Sequence, residues 1–137
     1  MLTPNLFLNL GNHTEVSRCL SLLARRGQLT RISCGFYVCP VATPFGSHGF
    51  RQPASYKVVQ SLASVIDELI VRHGAYASNA LGLSTQAPIC DIFLTNGQAR
   101  TLRLGAYQIE IRRAPAWLML LGRTRAGDAV RALEWIG

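Results

Sequence analysis

Thr14, Ser17, Arg18, Ser21 and Arg25 recur at i, i+3, i+4, i+7 and i+11, a spacing that gathers three hydroxyls and two guanidinium groups on one helical face. The chemistry open to such a row is recognition of a polyanion. Hydroxyls bond phosphate oxygens or base edges, and an arginine forks onto guanine. Any surface helix is polar on its outer side, so the row alone is a weak signal. The next eleven or so residues strengthen it. Leu29 to Ile32 and Phe36 to Val38 read as short strands around a Ser33-Cys34-Gly35 turn, with Arg31 projecting near the tip. Helix, glycine stop and basic hairpin is the order of the second half of a winged helix-turn-helix. Thr14, Ser17, Arg18, Ser21, Arg25 and Arg31 are therefore the expected contacts to duplex DNA.

The elements that must hold this row are legible nearby. Asn12 caps the helix start, and Glu15 three residues on completes a capping box. Val16, Cys19, Leu20 and Leu23 form the apolar stripe, and Gly27 suits the left-handed residue after the last turn. Before it, Thr3 to Gly11 reads as a short helix with a Thr cap, Pro4 in the first turn and a glycine stop. Leu6, Phe7 and Leu10 are expected to pack on Val16, Leu20 and Leu23. A helix-turn-helix core has three helices, and the segment before Thr3 has no room for the first. The expectation is a partial winged helix over residues 1–40 whose missing helix lies upstream of Met1.

Charge is distributed to match. The 137 residues carry a net charge of +7, and 13 of the 14 basic residues are arginine. Residues 1–50 hold four arginines and one acid, and residues 100–137 hold seven arginines and three acids, while the middle is balanced. Both ends can attract a polyanion, with strong salt dependence. Hydrophobic content of 49% and charged content of 15% describe one or two folded domains. No apolar run is long enough to span a bilayer and no secretory signal pattern is present, so a cytoplasmic protein without a membrane partner is expected.

Catalysis and metal binding find little support. Asp67 and Glu68 are adjacent on a predicted helix and face different directions, and Asp91 and Asp128 have no carboxylate neighbour in sequence. No glycine-rich phosphate loop appears, and Ser78, Ser84 and Thr85 have no motif-placed histidine. Cys19, Cys34, Cys39 and Cys90 are spaced 15, 5 and 51 apart, and His13, His48 and His73 are scattered, which is not a zinc pattern. No enzyme, metal or cofactor is expected. Cys19 and Cys90 read as small core residues. Cys34 and Cys39 flank one hairpin, and free thiols are expected in a reducing compartment.

Residues 41–53, with Pro44, Gly46, Gly49 and Pro53, read as a linker, and 54–137 as a mixed domain, so the fold class is α+β. A long helix is expected from Ser55 to His73, with Val58, Val59, Leu62, Ile66, Leu69 and Ile70 inward and Gly74 ending it. The small residues of 75–88 suggest a short helix packed closely on a neighbour. Three strands of a small antiparallel sheet come next, at Asp91 to Thr95, Arg100 to Leu104 and Tyr107 to Arg113, with Asn96-Gly97 and Gly105-Ala106 as hairpin turns. Arg100, Arg103, Arg112 and Arg113 on its polar side are either a solvated surface or a second basic surface. Ala116 to Leu121 and Arg125 to Ile136 close the chain as helices, with Trp117 and Trp135 expected in packing.

Taken together, Val16-Ser17-Arg18 through Leu20, Leu23, Gly27, Leu29, Arg31, Gly35 and Tyr37, the segment Ala80-Leu81-Gly82-Leu83-Ser84-Thr85-Gln86-x-Pro88, the Asn96-Gly97 turn and Ala132-Leu133-x-Trp135-x-Gly137 resemble the AbiEi-type antitoxins. These belong to type IV toxin–antitoxin systems that also give phage abortive infection. The resemblance covers most of the chain, and Leu-Gly-Leu-Ser-Thr-Gln is its most specific part. It implies a winged helix that binds the operon's promoter as an autorepressor, and a C-terminal region that counteracts a nucleotidyltransferase-like toxin. Ser17, Arg18, Ser21 and Arg25 match that family's recognition helix and Arg31 its wing. The absent first helix and the end at Gly137 depart from the pattern. Two alternatives stay open: a module that binds the toxin protein directly without reading DNA, and a truncated, non-functional remnant.

Overall fold

A computed structural model describes residues 1–42, 50–51, 54–86 and 90–137. The fold is α+β. The chain forms two compact units, residues 1–65 with 102–107, and residues 66–101 with 108–137.

In the first unit a 3₁₀ turn, Pro4–Phe7, precedes helix α1, His13–Arg25. The turn is shorter than the expected helix, and Thr3 makes no side-chain cap bond. Helix α1 begins where the cap residues put it. The Glu15 N–H donates to Asn12 Oδ1 at 2.9 Å, and the Asn12 N–H donates back to Glu15 Oε2 at 3.2 Å. Gly27 stands at φ 77°, a left-handed conformation in which a side chain would be strained. The hairpin comes next as β1, Thr30–Ser33, and β2, Phe36–Val38, paired antiparallel with Arg31 opposite Tyr37 and a bulge between Arg31 and Ser33. Leu2 bridges to Tyr37 through both backbone bonds, at 2.8 and 2.9 Å, so the chain start lies beside β2.

Val16, Leu20, Leu29 and Tyr37 form the core of this part, with Leu2, Phe7, Leu23 and Ala24 packed against it. Three expectations are corrected here. Phe7 joins the core, but Leu6 and Leu10 are 59% and 78% exposed, because the 3₁₀ turn ends before a second apolar face can form. Cys19 is exposed rather than buried, since it lies at the edge of the stripe that Val16 and Leu20 centre. All four cysteines are exposed free thiols, Cys90 among them, against its expected place in a core.

Of the stretch expected as a linker, 43–49 and 52–53 lie outside the described residues; Val41–Ala42 (β3) and Phe50–Arg51 (β4) pair antiparallel. Helix α2, Ser55–Ile66, buries Val58, Val59, Leu62 and Ala63. It stops well short of the His73 that the apolar pattern suggested. Asp67 turns the chain at φ 54°, and Ile70–Arg72 form strand β5. Helix α3, Gly74–Ala80, then packs on α5, Arg125–Ile136. A Cβ on Gly74 would run into the Arg131 carbonyl and lie 2.7 Å from Trp135 Cβ, so glycine is what allows the close approach.

Strands β6, Asp91–Thr95, β7, Arg100–Leu104, and β8, Tyr107–Arg113, complete a four-stranded sheet in the order β5-β6-β8-β7. This differs from three antiparallel strands. β6 pairs antiparallel with β5 and parallel with β8, and Asn96-Gly97 does not close a β6–β7 hairpin. The turn's bonds go elsewhere: Asn96 Oδ1 accepts from the Leu69 N–H at 3.0 Å, and the Gly97 N–H donates to Thr95 Oγ1 at 3.0 Å. Burial alternates as expected, with Leu102, Leu104, Ile109 and Ile111 inside. Helix α4, Ala116–Met119, and then α5, with Thr124 as N-cap, end the chain. Among the described residues no helix is long and apolar enough to cross a membrane.

Candidate nucleic-acid interface

Helix α1 is oriented by its own inner face. Val16 and Leu20 are buried against Leu29 and Tyr37, which turns the opposite row outward. His13, Thr14, Ser17, Arg18, Ser21, Leu22 and Arg25 line one shallow depression on that side. The structure thus brings together the five helical residues expected from spacing. Thr14, Arg18 and Arg25 are exposed, while Ser17 and Ser21 are half-buried. Glu15, the one acid of the first 50 residues, is held by the Asn12 backbone at the cap, so no carboxylate lies in the row.

The hydroxyls are not equivalent. Ser17 Oγ lies 3.5 Å from His13 Nδ1, at the limit of a hydrogen bond. Ser21 Oγ lies 3.2 Å from the Tyr37 hydroxyl, so it links helix to hairpin. The side chains of Thr14, Arg18 and Arg25 make no hydrogen bond or ion pair among the described residues, which leaves them available to a ligand. Arg31 is exposed in β1, its Nε donating to the Ser33 carbonyl at 3.4 Å. The link that sequence reasoning missed is the one made by the Tyr37 hydroxyl. Its signal was a tyrosine flanked by apolar strand residues, because a buried phenol still seeks a hydrogen-bond partner.

The four arginines further along do not make a single surface. Arg112 and Arg113 are consecutive in β8 and leave opposite faces of the sheet, and Arg100 and Arg103, three apart in β7, do likewise. Arg100 pairs with Glu68 at 2.9 Å, and Glu68 also accepts from Thr95 Oγ1 at 3.0 Å. Arg112 grips Glu110 through two bonds of 2.8 and 3.1 Å. That grip lowers the Glu110 pKa and raises that of Arg112. Arg103 and Arg113 are exposed and have no such grip among the described residues.

His73, expected at the end of a long helix, caps α3 instead. Its Nδ1 accepts the Ala75 N–H at 3.1 Å, and its ring meets Trp135 edge-on at 5.0 Å. Burial, then the nearby Arg112, lower its pKa from the usual 6.5. Trp135 makes the inter-helix contact expected of it, beside His73 and Gly74, and Trp117 and Trp135 are 53% and 51% exposed. Among the described residues no group of three or more His, Cys, Asp or Glu gathers to hold a metal ion.

The model of one protein family, DUF6088, a family of unknown function, matches residues 1–137. No curated protein and no solved structure matches the chain.

Proposed function

The chain belongs to this family of unknown function, and we propose that it is a DNA-binding antitoxin that represses its own operon. In this reading the unit formed by α1 and the β1–β2 hairpin is a partial winged helix. Arg18 and Arg25 reach base edges or phosphates from α1, Thr14 and Ser17 bond phosphates, and Arg31 contacts the backbone from the wing. The observation that carries it is the outer row of α1, where two uncommitted arginines and no carboxylate stand on one face. The antitoxin role, against a nucleotidyltransferase-like toxin in the cytoplasm, rests on the resemblance to the AbiEi-type antitoxins.

The test is binding of the purified chain to its own upstream DNA and to a scrambled duplex across a salt series. A preference for its own DNA that survives near-physiological salt is expected. Equal binding to both that collapses as salt rises would reduce the arginines to a non-specific polyanion trap.

A second reading draws on Trp117, Leu120, Leu133, Trp135 and Ile136, large apolar side chains of the second unit that are each more than half exposed. They favour a protein partner for that unit, the toxin itself being the first choice. Co-purification with the neighbouring gene product at high salt checks it, since an apolar contact persists where a charge contact does not.

A further inference from the structure

We infer that Tyr37 is a positioning residue for nucleic-acid binding, holding the wing arginine Arg31 in register with the outer row of α1 through its hydroxyl contact to Ser21. The inference rests on the reading of α1 and the hairpin as a duplex-binding unit. It assigns to Ser21 a different task from the direct DNA contact expected of it.

The geometry converges on one side chain. The Tyr37 ring is 3% exposed within the core made by Val16, Leu20 and Leu29. Its hydroxyl emerges 3.2 Å from Ser21 Oγ. Ser21 lies between Arg18 and Arg25 in the outward row. On the hairpin, Arg31 stands directly opposite Tyr37 in the ladder, and directly opposed residues share a face. Arg31 therefore leaves the hairpin on the side from which Tyr37 reaches α1. The Tyr37 backbone is fixed as well, by both bonds to Leu2.

A two-stranded hairpin is marginal by itself and takes its direction from what it packs on. Apolar packing holds the ring in place but is non-directional, whereas a hydroxyl–hydroxyl bond fixes the angle between the strand pair and the helix. A duplex presents phosphates at fixed separations, so Arg31 and the α1 arginines engage it together only when that angle is right.

Tyr37→Phe keeps the ring and removes the hydroxyl. Ser21→Ala removes the other half of the bond. Each variant, and the two combined, is measured against the chain's own upstream DNA over a salt series, alone and with Arg31→Ala added. Circular dichroism and thermal unfolding confirm the fold, and Ser21→Ala carries the test where Tyr37→Phe melts early.

The expected result is that Tyr37→Phe, Ser21→Ala and the double variant bind about tenfold more weakly by the same amount, as for one lost charge-assisted contact. The salt slope falls by about 0.9, one phosphate's share. Adding Arg31→Ala to any of them changes nothing further, although Arg31→Ala alone in the wild type lowers the slope by the same amount.

Three results overturn the inference. A Tyr37→Phe protein with wild-type affinity and slope removes it while leaving the DNA-binding reading intact. A full-sized Arg31→Ala effect in the Tyr37→Phe background does so too. A wild type that shows no preference for its own DNA removes the DNA-binding reading, and this inference with it.

Discussion

Among the described residues the side chains of Arg18 and Arg25 make no hydrogen bond or ion pair. Arg100, Arg112 and Arg131 are tied to carboxylates, and their charge is answered within the fold. Replacing Arg18 or Arg25 by alanine is expected to weaken operator binding by about 1–3 kcal/mol each if they read bases, with loss of preference for the chain's own DNA. If they meet phosphates, affinity falls evenly across sequences and the salt slope drops by about 1 per residue. Unchanged affinity in both variants removes the assignment of α1 as the recognition helix.

Arg131 is the opposite case: it is 1% exposed and fully engaged but for its Nε. Its guanidinium donates to Asp128 at 2.7 Å and to the carbonyls of Gly122 and Leu118 at 3.0 and 3.3 Å, stitching the turn after α4 to α5. Arg131→Met is expected to destabilise by about 2–3 kcal/mol in urea unfolding, because two carbonyls and a carboxylate lose their donor. Asp128 keeps some water, so the loss stays below that of a wholly buried pair. DNA affinity is expected to hold. Sequence spacing exposed the outer row of α1 but gave no hint of Arg131, which reads as one more surface arginine until the fold encloses it.

At the scale of elements, what was legible had local causes. The α1 boundaries depend on Asn12, Glu15 and Gly27, and the start of α5 on the Thr124 cap, because each of these bonds closes within a few residues. Strand β5 was hidden for the same reason. Ile70-Val71-Arg72 continues an apolar helical pattern, and the break is made by Asp67 in a left-handed turn rather than by glycine or proline. The sheet order depends on partners distant in sequence: parallel pairing of β6 with β8 leaves no mark on either strand. Asn96-Gly97 resembled a hairpin turn because its side-chain bond to the Leu69 N–H, 27 residues away, is invisible in sequence. The small residues before Gly82 did announce a close contact, and the contact is α3 on α5. Gly74→Ala is expected to cost about 1–3 kcal/mol by forcing the two helices apart. Chemical denaturation is the measure, and a neutral substitution would mean that the helix pair shifts freely.

For the whole molecule, pH is the lever that the structure makes specific. His73 has a pKa lowered by burial and by Arg112, with Glu134 and Glu110 opposing. The unfolded chain therefore binds a proton more readily than the folded one. Stability is full above the ordinary value of 6.5 and declines as pH falls through it, because a protonated ring can no longer accept the Ala75 N–H. His73→Asn keeps a capping acceptor without titrating. The wild type is expected to lose more stability than His73→Asn on going from about one unit above to about one unit below the ordinary histidine value, read from midpoints of urea unfolding. Equal losses would show that other groups set the acid response.

The division of the chain bears on how it is made. The first unit takes in residues 1–65 and then waits for 102–107, whose Leu102 and Leu104 are 0% and 2% exposed. At about 5–20 residues added per second, roughly 2–7 s pass on the ribosome between Val65 and Leu102. Neither unit is complete in that interval, for the second is itself interrupted by the same six residues. Until 102–107 have been added, a nascent chain of this protein is expected to leave apolar surface uncovered for chaperones to bind.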